Sequence, residues 1–312
     1  MRKKLSLPEH TYRGRFAPSP TGPLHFGSLV AAIGSYLDAK SNQGIWVVRM
    51  EDLDKPRCSL DAADDILRTL EAFGLNWDER IIYQSQRTSA YEEALQQLES
   101  GGAIYPCCCT RKEISDSAMH GLEGAIYPGT CRDGIPVNRQ ARTWRVRTEA
   151  QQSPSKPESH VEFEDVLQGT LSQNIEQEIG DFIVKRADGL FAYQLAVVVD
   201  DAYQNITHVV RGSDLITSTP RQIHLQHLLK LSTPTYMHLP IAVNAQGEKL
   251  SKQTLAPSIG VDEVAPKLLA ALTFLRQQPP DDLLQGSIDE VLNWAILNWK
   301  PERLINCRQL TA

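Results

Sequence analysis

The chain has 312 residues, of which 41% are hydrophobic and 22% are charged, and its net charge is −6. A chain of this length can form about two domains with a buried core and needs no disulfide scaffold. Its mean hydropathy is −0.32 and no apolar stretch approaches 18 residues, which excludes a transmembrane helix. The acidic balance argues against a protein that coats nucleic acid, because such binding rests on many Lys and Arg contacts to phosphate. Residues 1–10 contain no apolar core, so we expect no secretory signal and a cytoplasmic protein.

The first 80 residues alternate between strand and helix patterns. Residues 12–17 form a short extended run, and Pro18-Ser-Pro20 then predicts a loop. A helical pattern begins at Gly27, residues 45–50 are typical of a strand, and residues 61–73 place apolar side chains on one helical face. This order predicts a right-handed α/β unit with parallel strands.

The alternation ends near residue 100. Residues 101–180 are rich in Cys, Gly, Pro and Arg, which predicts an insertion between two halves of an α/β domain. After it, residues 181–184 and 190–199 predict two strands joined by a hairpin turn at Asp188-Gly189. The later elements are predicted as a strand at 208–211 and helices at 219–231, 262–275 and 288–299. We therefore divide the chain into residues 1–100, 101–180, 181–256 and a short helical region at 257–312.

A functional pattern runs from residue 15 to residue 28 as Arg-Phe-Ala-Pro-Ser-Pro-Thr-Gly-Pro-Leu-His-Phe-Gly-Ser. It spans the end of a strand, a loop and the start of a helix. The free N–H groups and the positive dipole end of a helix N-terminus suit a phosphate group. His25 would donate to a phosphate oxygen there, and Gly27 lets a nucleotide lie close to the backbone. A plain strand–loop–helix connection with a surface histidine is the alternative.

A second pattern, Lys249-Leu-Ser-Lys-Gln253, follows the turn-forming run Asn244-Ala-Gln-Gly247. Two lysines three residues apart on such a loop can clamp a triphosphate. They would stabilise the charge that develops when pyrophosphate leaves. Solvated lysines with no function are the alternative, because surface lysine pairs of this kind are common.

Together the two patterns resemble the HIGH and KMSKS signatures of class I aminoacyl-tRNA synthetases. Residues 14–22, 49–54, 191–201 and 210–214 are similar to the glutamyl branch, in the same order along residues 12–256. One departure is Ser28, which stands in place of the second histidine of HIGH. The resemblance implies an α/β fold, with a Rossmann-type parallel sheet, an inserted zinc-binding α+β subdomain and a short C-terminal helical tail.

Only 59 residues follow Gln253, which leaves no room for the helical anticodon-binding region of a complete glutamyl-tRNA synthetase. In this respect the chain resembles the glutamyl-Q tRNA(Asp) synthetase family. That resemblance implies a ligase that activates L-glutamate with ATP and esterifies the cyclopentenediol of queuosine in the anticodon of tRNA(Asp). We expect a monomer with no membrane partner. The alternatives are a truncated synthetase that charges a tRNA 3′ end, a non-catalytic RNA-binding paralogue, and another HIGH-type nucleotidyltransferase.

The resemblance also implies roles for individual residues. Arg15 and Arg211 would each bind one carboxylate of glutamate, because the guanidinium fork bonds bidentately to carboxylates. Glu51 would pair with the ammonium group and Tyr193 would donate its hydroxyl; an internal salt bridge between Arg15 and Glu51 is the alternative. The other residues of the glutamate pocket would be Phe16, Ala17, Pro18 and Ser19. The catalytic set would be His25, Gly27, Lys249 and Lys252, and ATP would bind at His25, Ser28 and Lys252 together with Mg²⁺.

Four of the six cysteines lie between residues 107 and 131, which indicates a metal site more than scattered core thiols. Cys107, Cys109 and Cys131 are three well-spaced ligands, whereas zinc favours four. The resemblance supplies Tyr127 as the fourth ligand of one structural zinc ion. His120 and Cys108 are the alternatives, although alternation along the chain predicts that Cys108 points away from its neighbours and packs in the core.

Residues 132–147 contain five arginines and a single aspartate. If residues 143–148 form a strand, Arg145 and Arg147 share a face. This region is the best candidate in the sequence for a track of RNA-phosphate contacts on an acidic protein. A solvated strand face near a metal site is the alternative.

Overall fold

A computed structural model describes residues 11–117, 120–121, 124–149, 159–250 and 258–312. The first segment contains β1 (Arg13–Phe16), α1 (Phe26–Ser41), β2 (Ile45–Met50), α2 (Leu60–Ala72), β3 (Ile82–Tyr83) and α3 (Thr88–Ser100). β1 pairs in parallel with β2, and β2 pairs in parallel with β3. The predicted parallel α/β unit is therefore confirmed.

The insertion is built around short antiparallel strand pairs. Its elements are β4 (Ile104–Cys107), α4 (Arg111–Ser117), β5 (His120–Gly121), β6 (Gly124–Ala125), β7 (Thr143–Val146), β8 (His160–Asp165), β9 (Gly169–Asn174) and α5 (Ile175–Glu178). β4 pairs with β7, and β8 pairs with β9. The end of β4 therefore carries Cys107 into the turn that holds the other cysteines.

The remaining elements are β10 (Ile183–Lys185), α6 (Tyr193–Tyr203), β11 (His208–Gly212), α7 (Thr219–Leu229), β12 (Thr235–Leu239), β13 (Ile241–Val243), α8 (Val264–Phe274), α9 (Ile288–Leu297) and β14 (Gln309–Thr311). β10 pairs antiparallel with β7 and extends the β4–β7 sheet, whereas most of the others complete the α/β core. β11 and β12 are parallel, and β12 touches β8 in parallel at one residue pair. β11 lies beside β1, where the backbone N–H of Thr207 donates to the carbonyl of Arg13 over 3.0 Å. β1, β2 and β11 thus lie side by side, and the loops that follow these three strands lie close together.

The prediction of a strand over residues 190–199 is wrong. A single bridge pairs Lys185 with Phe191, and the chain then enters α6. α6 packs against α3 and α7, so Leu195, Ala196, Val197 and Val198 are all buried. Because α6 is buried on several sides, its sequence has no polar face of the kind that indicates a helix. Its β-branched valines then give the pattern that is typical of a strand.

Helix α1 lies at the centre of the largest core. Leu29, Ile33 and Leu37 are completely buried there, together with residues of β2, α8 and α9. Gly34 permits the close approach of β12, because a Cβ at this position would lie 2.4 Å from a methyl carbon of Leu239. The C-terminal helices therefore belong to the same core as the start of the chain. Within the described ranges, we find no helix with the length and apolar character that crossing a bilayer requires.

Candidate active site

A pocket of about 310 Å³ lies where β1, β11 and β12 end and α1 begins. Its lining includes Phe16, Ser19, His25, Gly27 and Lys249. The two sequence patterns, which are more than 220 residues apart in the chain, therefore meet at one cavity. This position, at the carboxyl ends of parallel strands, is where α/β folds bind nucleotides.

His25 is the N-cap residue of α1. Its Nδ1 accepts the backbone N–H of Ser28 at 3.2 Å, and the Ser28 hydroxyl lies 3.1 Å from Nε2. A Cβ at position 27 would lie 3.3 Å from the imidazole of His25 and 3.5 Å from the carbonyl oxygen of Leu250. Gly27 thus lets the helix start and the lysine-bearing loop approach each other closely. Ser28, which replaces the second histidine of the HIGH motif, contacts the first one directly.

Lys249 lies at the described end of the second loop. Its Nζ is 2.6 Å from a carboxylate oxygen of Asp214, and both side chains are partly exposed. The backbone N–H of Leu250 donates to the carbonyl of Ala242 over 2.8 Å, which holds this part of the loop against β13. Lys252, the other predicted phosphate-binding lysine, lies outside the described residues.

Two buried arginines share one aspartate beside the pocket. Nε of Arg15 lies 3.2 Å from Oδ1 of Asp201, and Nη1 of Arg49 lies 2.8 Å from the same oxygen. Burial disfavours the charged form of Asp201, but the two guanidinium groups outweigh it and lower the pKa of this carboxyl. Nη2 of Arg15 has no acceptor among the described residues and remains available to a ligand.

Glu51 and Tyr193 lie close enough to the buried arginines to interact with their charges. The backbone N–H of Glu51 donates to the carbonyl of Pro18 over 2.9 Å, which joins the end of β2 to the loop after β1. Burial raises the pKa of Glu51, whereas Arg49 and Arg15 oppose this rise. Burial likewise raises the pKa of Tyr193, and Arg211, Glu51 and Arg15 all act on this hydroxyl. The structure therefore brings the predicted polar residues of the glutamate pocket together.

Arg211 differs from Arg15 and Arg49 in its partners. It donates to His238 Nε2 (3.0 Å), Gln222 Oε1 (2.8 Å) and Thr219 Oγ1 (2.7 Å), all of which are uncharged acceptors. Arg211 is 5% exposed, and no carboxylate contacts it in the part of the chain that the structure describes. A buried cation in neutral surroundings attracts an anionic ligand.

The cysteines of the insertion form a compact cluster. The sulfurs of Cys107, Cys109 and Cys131 all lie within 4.8 Å of one another. The Tyr127 hydroxyl is 3.3 Å from Cys107 Sγ and 3.4 Å from Cys109 Sγ. Cys108 is buried, as expected, but its sulfur lies 3.6 Å from that of Cys131, so the prediction that it points away from its neighbours is wrong. The turn after β4 brings the adjacent thiol back toward Cys131.

Comparison with known proteins assigns the chain to a family. A family model described as class I tRNA synthetases (E and Q), catalytic domain, matches residues 11–275. A protein of Dechloromonas aromatica named glutamyl-Q tRNA(Asp) synthetase is 57% identical over 92% of this chain and 94% of its own length. A protein of the same name from Chromobacterium violaceum is 54% identical over 94% of this chain and 95% of its own length. The chain belongs to the glutamyl-Q tRNA(Asp) synthetase family.

Solved structures show the same class I synthetase fold at lower identity. The glutamate-tRNA synthetase of Elizabethkingia anophelis matches with a TM-score of 0.76 and 22% identity, over 97% of this chain and 68% of that one. The methionyl-tRNA synthetase of Mycobacterium tuberculosis matches with a TM-score of 0.52 and 14% identity, over 83% of this chain and 64% of that one. These likenesses confirm the α/β class I fold with its parallel sheet.

For this member of the family, the arginines of residues 132–147 mostly serve the packing of the insertion. Arg145 is buried, and it donates to the carbonyl of Asp181 over 2.7 Å and to Cys107 Sγ over 3.4 Å. The ion pairs of the region are Arg132 with Asp181 and Glu149, Arg139 with Glu113, and Arg147 with Glu149. Arg145 is therefore held in the packing and three of the other arginines are already paired, while RNA contact by this region stays a prediction.

Sequence reasoning missed the residues that hold the two arginines predicted to bind glutamate. Asp201 fixes Arg15, and His238 fixes Arg211. Asp201 lies within the run 191–201 that resembles the glutamyl branch, so its charge beside an arginine-rich site was a usable signal. His238 gives no such signal, because a lone histidine in an apolar run is most often a core residue.

Proposed function

We propose that this chain activates L-glutamate with ATP and transfers it to the cyclopentenediol of queuosine in tRNA(Asp). One observation carries the proposal: the buried guanidinium of Arg211 has uncharged acceptors around it and lies close to the Tyr193 hydroxyl. An uncompensated buried charge is costly, so a substrate carboxylate is the natural partner. Arg15 binds the second carboxylate, and Glu51 binds the ammonium group.

The pocket at His25 takes the ATP. In the first step, an oxygen of the α-carboxylate of glutamate attacks the α-phosphorus. The bond from the α-phosphorus to the bridging oxygen breaks, and pyrophosphate leaves with the electron pair. Mg²⁺ enters with the triphosphate. His25, Lys249 and Lys252 stabilise the departing charge, so catalysis rests on positioning and electrostatics.

The cysteine cluster binds one structural zinc ion. Tetrahedral zinc with bonds of about 2.3 Å to sulfur and 2.0 Å to oxygen requires ligand separations of about 3.5–3.8 Å. The Cys109 and Cys131 sulfurs are 3.6 Å apart, and the Tyr127 hydroxyl lies 3.3–3.4 Å from two of the sulfurs, so the donor set fits. The zinc ties the turn after β4 to residues 127–131. It takes no part in the chemistry of glutamate.

The tRNA backbone lies on a groove of about 550 Å³ between the cysteine turn and residues 183–188. Arg111, Lys112 and Arg142 line it, and these exposed side chains have no ion-pair partner within the described ranges. Arg186 at the edge of the groove lies 3.7 Å from Asp54, in the loop that follows Glu51. Lysine and arginine side chains on such a groove release counterions from phosphates.

The groove is tested by replacing Arg111, Lys112 and Arg142 with alanine together. We expect glutamate activation without tRNA to be unchanged, because no substituted side chain lines the pocket at His25. Transfer to tRNA should fall at least tenfold, and the slope of log affinity against log salt should shrink by about one for each lost phosphate contact. The matched control replaces the exposed Arg80, Lys300 and Arg308. Equal losses in the two triple variants would remove the groove from the proposal.

The overall function is tested with labelled glutamate, ATP and Mg²⁺ and two preparations of tRNA(Asp), with and without queuosine. Transfer to the queuosine-containing preparation alone supports the proposal. Transfer to the 3′ end of tRNA(Glu) would instead identify a shortened conventional synthetase. Absence of glutamate-dependent ATP–pyrophosphate exchange would leave a non-catalytic RNA-binding paralogue.

All six thiols are free, which is consistent with a reaction in the reducing cytoplasm.

A further inference from the structure

Arg211 is held by a histidine nitrogen that can act only as a hydrogen-bond acceptor. The Nε–H of Arg211 donates to Nε2 of His238 over 3.0 Å. Because a guanidinium group has no acceptor, Nε2 of His238 must be unprotonated and the ring must carry its proton on Nδ1. The orientation of Arg211 therefore depends on one tautomer of His238.

Asp165 selects this tautomer. Its Oδ2 lies 2.6 Å from Nδ1 of His238, and both side chains are completely buried. Its Oδ1 accepts the backbone N–H groups of Leu167 at 3.0 Å, Gln168 at 2.9 Å and His238 at 3.4 Å. With all three backbone donors on Oδ1, the other oxygen is fixed toward the imidazole.

The arrangement leaves the charge of Arg211 uncancelled at close range. Arg15 contacts the carboxylate of Asp201 directly, whereas the neutral ring of His238 separates Arg211 from the carboxylate of Asp165. A direct carboxylate partner would compete with an anionic ligand for the same N–H groups. An imidazole between them anchors the guanidinium through Nε. Nη2 donates to Thr219 and Leu215, and Nη1 donates to Gln222. One N–H of Nη1 has no acceptor among the described residues and can meet a ligand.

We infer that Asp165 and His238 are positioning residues, which orient Arg211 for a carboxylate of the substrate without neutralising it. The inference rests on the proposed function in one respect, namely that Arg211 binds glutamate. Neither residue touches the substrate. Asp165 acts on His238, and His238 acts on Arg211.

Asp165→Asn is the decisive variant. The asparagine Oδ1 keeps the backbone N–H groups that Oδ1 of Asp165 accepts, so the amide nitrogen must face Nδ1 of His238. The imidazole then carries its proton on Nε2, which opposes the Nε–H of Arg211. In glutamate-dependent ATP–pyrophosphate exchange we expect KM for glutamate to rise at least tenfold, with kcat reduced less than threefold and KM for ATP unchanged.

Substitutions at position 238 separate positioning from packing. Glutamine keeps an acceptor for Arg211, so His238→Gln should raise KM for glutamate less than His238→Leu does. Nitrogen NMR of labelled histidine gives a readout that is independent of activity, with His238 in the Nδ1–H form in the wild type and in the Nε2–H form in Asp165→Asn. If the Asp165 variant does not fold, the inference is tested by the tautomer of His238 in the wild type and by the two variants His238→Gln and His238→Leu.

Three results would overturn the inference. The first is an Nε2–H tautomer of His238 in the wild-type protein. The second is an equal KM for glutamate in the wild type and in His238→Leu. The third is an equal rise in KM for glutamate and for ATP in the variants. Failure of the proposed function is a different result, because the wild type itself would then show no glutamate-dependent exchange while the NMR assignment of His238 stands.

Discussion

The hydroxyl of Ser28 lies 3.1 Å from Nε2 of His25, across the first turn of α1. The backbone N–H of Ser28 also donates to Nδ1 of the same ring. Both ring nitrogens thus face one residue, which holds the imidazole over the helix N-terminus. A serine at the last position of the HIGH motif can therefore serve the first histidine as an orienting group.

Ser28→Ala tests this orienting role. The substitution removes the hydroxyl and keeps the backbone donor, so the imidazole loses one of its two contacts with position 28. We expect glutamate-dependent ATP–pyrophosphate exchange to fall about threefold to tenfold, in line with the loss of one hydrogen bond. Ser100→Ala on the exposed end of α3 is the control. Wild-type exchange in the Ser28 variant would show that the backbone N–H is sufficient.

Lys252→Ala tests the second phosphate-binding loop. Removing a cation that stabilises departing pyrophosphate should lower the exchange rate about 10²- to 10³-fold, while the thermal unfolding midpoint stays unchanged. Lys249→Ala is the matched comparison and should cost less, because Asp214 already pairs with this lysine at 2.6 Å. Near wild-type exchange in the Lys252 variant would remove this lysine from the mechanism.

Sequence patterns predict the first quarter of the chain well. The alternation up to residue 73 depends on local periodicity, and the strands and helices it predicts agree with β1, α1, β2 and α2 within about one residue. Residues 190–199 failed because α6 is buried between α3 and α7, so no polar stripe marks the helix. Local patterns therefore succeed where one side of an element faces solvent.

The candidate site divides in the same way. Arg15, His25 and Arg211 are predicted as site residues because they stand in linear motifs. The packing of Arg145 cannot be predicted from the sequence, because its neighbours Cys107 and Asp181 are 36–38 residues away and only the folded chain brings them together. Asp165 and His238 were missed for the same reason, since 73 residues separate them. Side chains that hold other side chains leave little trace in the linear sequence.

The pH dependence of glutamate activation on the acidic side tests the role of Glu51. Burial raises its pKa, so Glu51 takes up a proton at a higher pH than an ordinary glutamate does. The protonated form no longer attracts the ammonium group of the substrate. We expect kcat/KM for glutamate to fall with decreasing pH, at a midpoint above the value of about 4.3 of an unperturbed glutamate.

Glu51→Gln should remove this pH dependence and lower kcat/KM at neutral pH about 10²-fold, the scale of a buried ion pair that loses one partner. The exposed Glu71→Gln on α2 is the control and should keep the wild-type profile. An unchanged pH dependence in the Glu51 variant would assign the titration to another group, such as the side-chain carboxyl of the substrate.

The fourth ligand of the proposed zinc site can be identified with two variants. The Tyr127 hydroxyl lies 3.3–3.4 Å from two of the three clustered sulfurs, whereas the Cys108 sulfur contacts only Cys131 among them. Tyr127→Phe should therefore release zinc to a chelator about 10- to 100-fold faster than the wild type, and Cys108→Ser should release it at the wild-type rate. Zinc content and release are measured with a metal-binding dye. Faster release from the Cys108 variant would exchange the two roles, because four tetrahedral positions cannot accept both side chains.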